Sequence, residues 1–193
     1  MLSLPETATL EYRDSRLYVS GTASQQWLKQ AREIAGFVLG VDGPYPGEGF
    51  LTIEMGRILD MKALVENFTI IFPVGSSRLN PGDYRQITTV ARTITQLNGA
   101  ASAVGIPIQI EIIGHSDSTG SDAMNALISG RRADRVRDAL VDEGFSINEF
   151  LFRGVGATDP ADGLSPEMMQ DASRRVSFHV LMADSTGFQG DGE

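Results

Sequence analysis

A chain of 193 residues has room for one large domain or two small ones, and 41% hydrophobic with 21% charged side chains is the profile of a folded globular protein. The 16 basic and 25 acidic side chains leave a formal charge of −9, which argues against a broad electrostatic attraction to nucleic acid or anionic lipid; an anionic polymer would have to be met at a local site. With no cysteine in these residues, they are expected to hold no disulfide framework, thiolate zinc site or lipid-modified cysteine.

Met1 to Glu6 lack the basic and then apolar pattern of a secretory signal, and the longest apolar stretch, around Ile34 to Val41, is too short to span a bilayer. The expectation is therefore a cytoplasmic chain, or a piece whose export or membrane segment lies upstream of it. Thr9 to Tyr12 and Leu17 to Ser20 read as short strands flanking the polar turn Arg13 to Arg16. From Ala23 to Val41, Trp27, Ala31, Ile34, Ala35 and Val38 recur at helical spacing, with Ser24 as N-cap and Gly40 as stop. Pro44, Pro46 and neighbouring glycines make a turn before the short apolar run Phe50 to Ile53. Residues 1–65 thus form a small β-β-α-β module. Its phrase Leu17-Tyr18-Val19-Ser20-Gly21-Thr22-Ala23, followed by a helix ending in Gly40-Val41, resembles a BON domain, a module common on bacterial envelope proteins.

Residues 66–183 have a different pattern. Phe68 to Phe72 is an apolar run of strand length, and Asn80-Pro81-Gly82-Asp83 opens a helix in which Asn80 caps and Pro81 takes the first position. Ile87, Val90, Ala91, Ile94, Leu97, Ala101 and Val104 continue it as a long amphipathic helix. Ile108, Ile110 and Ile112 alternate with Gln109 and Glu111, a strand with one buried face. After the polar turn Gly114 to Gly120, a second helix runs from about Ser121 to Glu143 and stops at Gly144. A strand near Glu149 to Arg153, a loop from Ala157 to Ala172 and a strand carrying Val176, Phe178 and Val180 complete the region. The class is α+β: a β-α-β-α-β-β mixed sheet covered by two helices on one face. Residues 184–193, rich in Gly, Ser and Asp, read as a flexible tail.

Functional chemistry concentrates at one corner. Asn125, Ser129 and Arg132 stand at steps of four and three on one helical face, and Asp117 lies on the turn just before it. An anion, a forked cation and two neutral hydrogen-bonding groups complement a zwitterion. Taken singly, each residue has a plainer role: Asp117 as a turn-former, Arg132 as part of a solvated face with Arg131, Arg135 and Arg137, and Asn125 and Ser129 as local braces. His115 and Asp117 are spaced like a metal pair, but the other histidine is His179 and a structural role for His115 is the better reading. No P-loop, nucleotide-binding glycine pattern or nucleophile elbow occurs, so no enzyme chemistry and no cofactor or metal is expected.

Gly114-His115-Ser116-Asp117-Ser118-Thr119-Gly120, followed by Asn125, Ile128-Ser129 and Arg132-Ala133, resembles the OmpA-like signature in order and spacing. Gly154-Val155-Gly156 and Ser173-Arg174-Arg175-Val176 extend the likeness to about Met182. The resemblance to this family, which includes Pal and MotB, implies a periplasmic or cell-envelope protein that binds peptidoglycan through the diaminopimelate of its stem peptide. It implies that Asp117 accepts from the ammonium and Arg132 holds the carboxylate, with Asn125, Ser129, Arg174 and Ser116 as further ligand-binding residues. Phe72-Pro73-Val74-Gly75 departs from the family, lacking the acidic or amide residue many relatives place after the first strand. Backbone groups at Gly75 or Ser76 are the available substitutes. The competing expectation is a scaffold domain of the same fold that no longer binds wall and makes lipid or protein contacts through the BON-like module.

Overall fold

The computed structural model describes residues 2–39, 41–47, 49–158 and 171–183. The chain divides into two compact units, Met1–Asp60 and Met61–Glu193.

In the first unit, strands β1 (Ala8–Arg13) and β2 (Arg16–Ala23) pair antiparallel across the expected turn. Helix α1 (Gln25–Ile34) starts at Ser24, whose hydroxyl accepts from the Trp27 N–H at 3.1 Å, and continues as a π-helical turn over Ala35–Leu39. Ala35 is buried as the expected stripe has it, but the inward face also takes in Leu28, while Ile34 is 42% exposed. Gly40, the expected stop, lies outside the described residues. The turn expected at Pro44 and Pro46 is instead an extended strand, β3 (Asp42–Pro46), parallel to β2. Prolines are tolerated there because, among the described residues, β3 pairs with β2 alone and its other edge has no ladder to donate to. Strand β4 (Leu51–Thr52) continues along the same edge of β2, completing the β-β-α-β order, and Trp27 and Phe50 pack on the small core of Ala8, Val19 and Leu28.

Helix α2 (Ile53–Glu66) was not legible as a helix, because Ile53, Met55, Ile58, Leu59, Met61, Leu64 and Val65 fall all round its axis rather than on one stripe. The division between the units falls within it.

The second unit holds β5 (Thr69–Ile71), α3 (Pro81–Ala103), β6 (Ile108–Gly114), α4 (Asp122–Asp142), β7 (Phe150–Gly154) and β8 (Arg175–Met182), with sheet order β5-β8-β6-β7. β7 runs parallel to β6 and β8 antiparallel to both β5 and β6, so the sheet is mixed, as expected. Ile110, Ile112, Val176, Phe178 and Val180 bury one face under α3 and α4. Asn80 caps α3 with a full capping box, its side chain accepting from Asp83 N–H while Asp83 accepts from Asn80 N–H at 2.8 Å. Because β5 pairs only with residues 175–177, Val180 has no strand partner on that side among the described residues; Glu66 accepts its N–H and Lys62 donates to its carbonyl, both at 2.9 Å. Most of the loop read between Ala157 and Ala172, and the tail after Ala183, lie outside the described residues.

α4 is seated on the sheet at a pair of glycines. Gly114 and Gly154 face each other in the β6–β7 register. A Cβ on Gly114 would stand 1.9 Å from the Ser129 carbonyl oxygen, and one on Gly154 2.3 Å from the Gly130 nitrogen. Both obstacles are helix backbone and cannot rotate away. Gly114→Ala is therefore expected to destabilise the fold by about 1–3 kcal/mol, read as a lower urea midpoint with an unchanged slope. An unshifted midpoint would mean that the helix has room to lift.

Candidate ligand-binding site

The strand-to-helix corner after β6 is pinned from two sides. His115 N–H donates to the Arg175 carbonyl and Ser116 N–H to the Gly156 carbonyl, each at 2.8 Å. His115, Ser116 and Asp117 are all more than nine-tenths buried. Ser121 then caps α4 by accepting from Met124 N–H, and Asp122 in the first turn suits the positive end of the helix dipole.

Asp117 accepts from Thr119 twice through Oδ1, from the N–H at 3.1 Å and from the hydroxyl, while Oδ2 faces Arg174 Nη1 at 3.4 Å. Burial pushes its pKa up, but the Thr119 bonds and the Arg174 guanidinium outweigh that and hold it below the usual carboxylate value. The group is an anion at neutral pH. The Thr119 bonds are the local turn-forming ones; the pairing with Arg174 is not local.

Arg132 is 1% exposed. Its Nε donates to the Ser76 carbonyl at 2.9 Å, Nη1 to the His115 carbonyl at 2.7 Å and Nη2 to the Pro73 carbonyl at 3.3 Å. The guanidinium carbon also stands 5.5 Å from the centroid of the Phe72 ring. Burial lowers its pKa, opposed by the Asp117 charge and reinforced by Arg174. The sequence suggests an open fork, yet this fork clamps the loop after β5 onto the β6–α4 corner. The segment that departs from the family pattern is thereby held by its carbonyls.

Arg174 is likewise built in: Nε donates to the Phe72 carbonyl at 3.1 Å and Nη2 pairs with Asp171 at 2.5 Å. Ser129 is fully buried, its hydroxyl donating to the Ala126 carbonyl and accepting from Gly156 N–H, both at 3.0 Å. Of its two readings, bracing is what these bonds accomplish. His115 Nε2 lies 2.9 Å from the Ser177 hydroxyl, and among the described residues no group of three or more His, Cys, Asp or Glu could hold a metal.

What remains open is a cleft of about 340 Å³. Ser116, Asp117, Asn125 and Arg132 supply its polar floor, Gly75 and Gly120 its flanks, and Met124, Leu127, Ile128 and Arg131 its outer wall. The Ser116 hydroxyl is buried and has no hydrogen-bond partner among the described residues. A larger groove of about 880 Å³ in the first unit, bordered by Leu28, Phe50 and Met55, contains none of the buried charged side chains. Sequence reasoning missed Thr119 as the Asp117 partner, Asp171 beside Arg174 and the carbonyls of Pro73 and Ser76. It also missed the outer wall, although Met124, Leu127, Ile128 and Arg131 are spaced for one helical face.

A family model described as the OmpA family matches residues 71–174. The chain is similar to outer membrane porin F of Pseudomonas fluorescens, 30% identical over 109 residues that cover 56% of this chain and 31% of that protein. It is 28% identical, again over 109 residues, to the probable lipoprotein YiaD of Escherichia coli strain K12, covering 56% of this chain and 46% of the relative. The chain therefore spans less than half the length of either. Among solved structures it resembles the peptidoglycan-associated lipoprotein from Burkholderia pseudomallei, with 19% identity, 58% of this chain and 88% of that chain covered, and a TM-score of 0.50. The C-terminal domain of Helicobacter pylori MotB matches with 20% identity, 62% and 87% coverage and a TM-score of 0.51. At these identities the structural likeness establishes the fold. The first unit lies outside the matched family segment.

Proposed function

The chain belongs to the OmpA family, and from that premise we propose that residues 66–183 bind peptidoglycan through the diaminopimelate of the stem peptide. Domains of this family bind rather than catalyse. The proposed role is to anchor an envelope protein or assembly to the wall, in keeping with relatives named as outer-membrane proteins.

One observation carries the reading: a single cleft gathers the Asp117 anion, the Arg132 cation, the Asn125 amide and the unpartnered Ser116 hydroxyl. The free end of diaminopimelate presents an ammonium and a carboxylate separated by one carbon. Asp117 accepts from the ammonium. The carboxylate is met by the guanidinium N–H groups of Arg132 that the three carbonyls leave over, and by N–H groups at the start of α4. Met124, Leu127 and Ile128 offer apolar surface to the methylene chain. Arg174 acts through Asp117, whose carboxylate it orients. A few charge-assisted hydrogen bonds of roughly 1.5–3 kcal/mol each give micromolar to millimolar affinity per site, which the multivalent wall converts into firm attachment.

Co-sedimentation with insoluble diaminopimelate-type peptidoglycan tests this: the wild type should pellet and Asp117→Ala should stay in solution. Equal pelleting of the two would remove Asp117 from the site. The scaffold reading, with contacts made through a BON-like first unit, is disfavoured by the open cleft and its unpartnered hydroxyl, for which a purely internal corner has no use.

A further inference from the structure

Two consecutive arginines of α4 have opposite surroundings. Arg132 is 1% exposed and donates to three backbone carbonyls. Arg131 is exposed, lines the same cleft, and has no hydrogen-bond or ion-pair partner among the described residues. The carboxylates one and two turns further along do not engage it, because Asp134 and Asp138 both pair with Arg137 at 2.8 Å.

Charge balance gives this free cation a use. Among the residues that line the cleft, one carboxylate, Asp117, stands against two guanidinium groups, Arg132 and Arg131. A zwitterionic head group adds no net charge on entering. The occupied cleft would thus keep one positive charge in excess, carried by Arg131 at its outer wall. A ligand with one more carboxylate, placed outside its amino-acid head, neutralises it.

We propose that Arg131 is a specificity-determining residue that reads a second carboxylate on the bound stem peptide: the α-carboxylate of the γ-linked D-glutamate next to diaminopimelate. The cleft then selects stem peptides whose glutamate is a free acid over those in which it is amidated. This inference rests on the peptidoglycan reading above. Because Arg131 is exposed, its contact is solvent-screened, so the preference is about fivefold and shrinks as salt is raised.

The test is calorimetric titration of the full chain with two soluble probes, L-alanyl-γ-D-glutamyl-meso-diaminopimelate and the same tripeptide carrying D-isoglutamine. The wild type should bind the acid about fivefold tighter than the amide. Arg131→Gln should bind the amide as the wild type does and lose the preference, with an unchanged melting midpoint because the side chain is exposed and makes no hydrogen bond or ion pair among the described residues. If the wild type binds both probes alike, or Arg131→Gln keeps the preference, the inference is overturned while the peptidoglycan reading stands. If the wild type binds neither probe, both fall together.

Discussion

Replacing Arg132 with alanine is expected to cost about 3–5 kcal/mol of folding stability, a larger loss than most single substitutions cause. The guanidinium serves the carbonyls of Ser76, His115 and Pro73 at 2.9, 2.7 and 3.3 Å, and it packs near the ring of Phe72. An alanine leaves buried acceptors without donors and a void where one of the largest fully buried side chains stood. Arg132→Lys should fall between the two, because an ammonium keeps the charge but cannot match a planar fork to carbonyls on separate segments. Urea unfolding followed by circular dichroism measures both. If the alanine variant unfolded at the wild-type midpoint, the clamp would not hold the loop. This matters for function, since a wall-binding defect in Arg132→Ala mixes a lost contact with a collapsed floor, and affinity has to be compared on the folded fraction.

Asp117→Asn separates binding from stability more cleanly. The amide oxygen can still accept from Thr119, so the turn survives, but the ion pair with Arg174 and the negative charge available to a ligand ammonium are both gone. Losing one charge-assisted bond of about 1.5–3 kcal/mol corresponds to roughly 10–100-fold weaker binding. A variant that binds soluble stem peptide as tightly as the wild type would exclude Asp117 as the ammonium partner. The pH dependence follows from the direction of its shift. The folded-state pKa is depressed below the ordinary 3.8, so the stability contributed by the carboxylate is fully present above 3.8 and is lost as pH falls through the lower folded value. Wild-type stability should therefore fall in strong acid more steeply than that of Asp117→Asn, and the two should run parallel through neutral pH. A divergence of the curves near neutrality would contradict the assignment.

Arg174 links these results. It donates to the Phe72 carbonyl at the end of the β5 segment and faces Asp117 on the β6–α4 turn, while Arg132 reaches the next residues of the same loop. The corner is thus a lattice of arginines and backbone carbonyls, and its bonds hold the Asp117 carboxylate in place at the lining of the cleft.

Much of this was legible in one dimension. The starts at Ser24, Asn80 and Ser121, the burial of Ile87 through Ala101 along α3, and the alternation of β6 and β8 all repeat with the period of a regular element, and such repeats are written locally. The spacing of Asp117, Asn125 and Arg132 was readable for the same reason. Elements without a repeat were not: β3 hid behind its prolines, and α2 behind apolar residues spread round its axis. Nor could local pattern reveal the separate fates of Arg131 and Arg132. Adjacent residues on a helix point about 100° apart, and which one is buried depends on where a loop 56 residues earlier in the chain comes to rest. The bracing role of Ser129 depends in the same way on Gly156, 27 residues away, and on two glycines flat enough to let the helix backbone approach. Those choices follow from sheet closure and close packing, which bring distant segments into contact and have no signature in the spacing of neighbours.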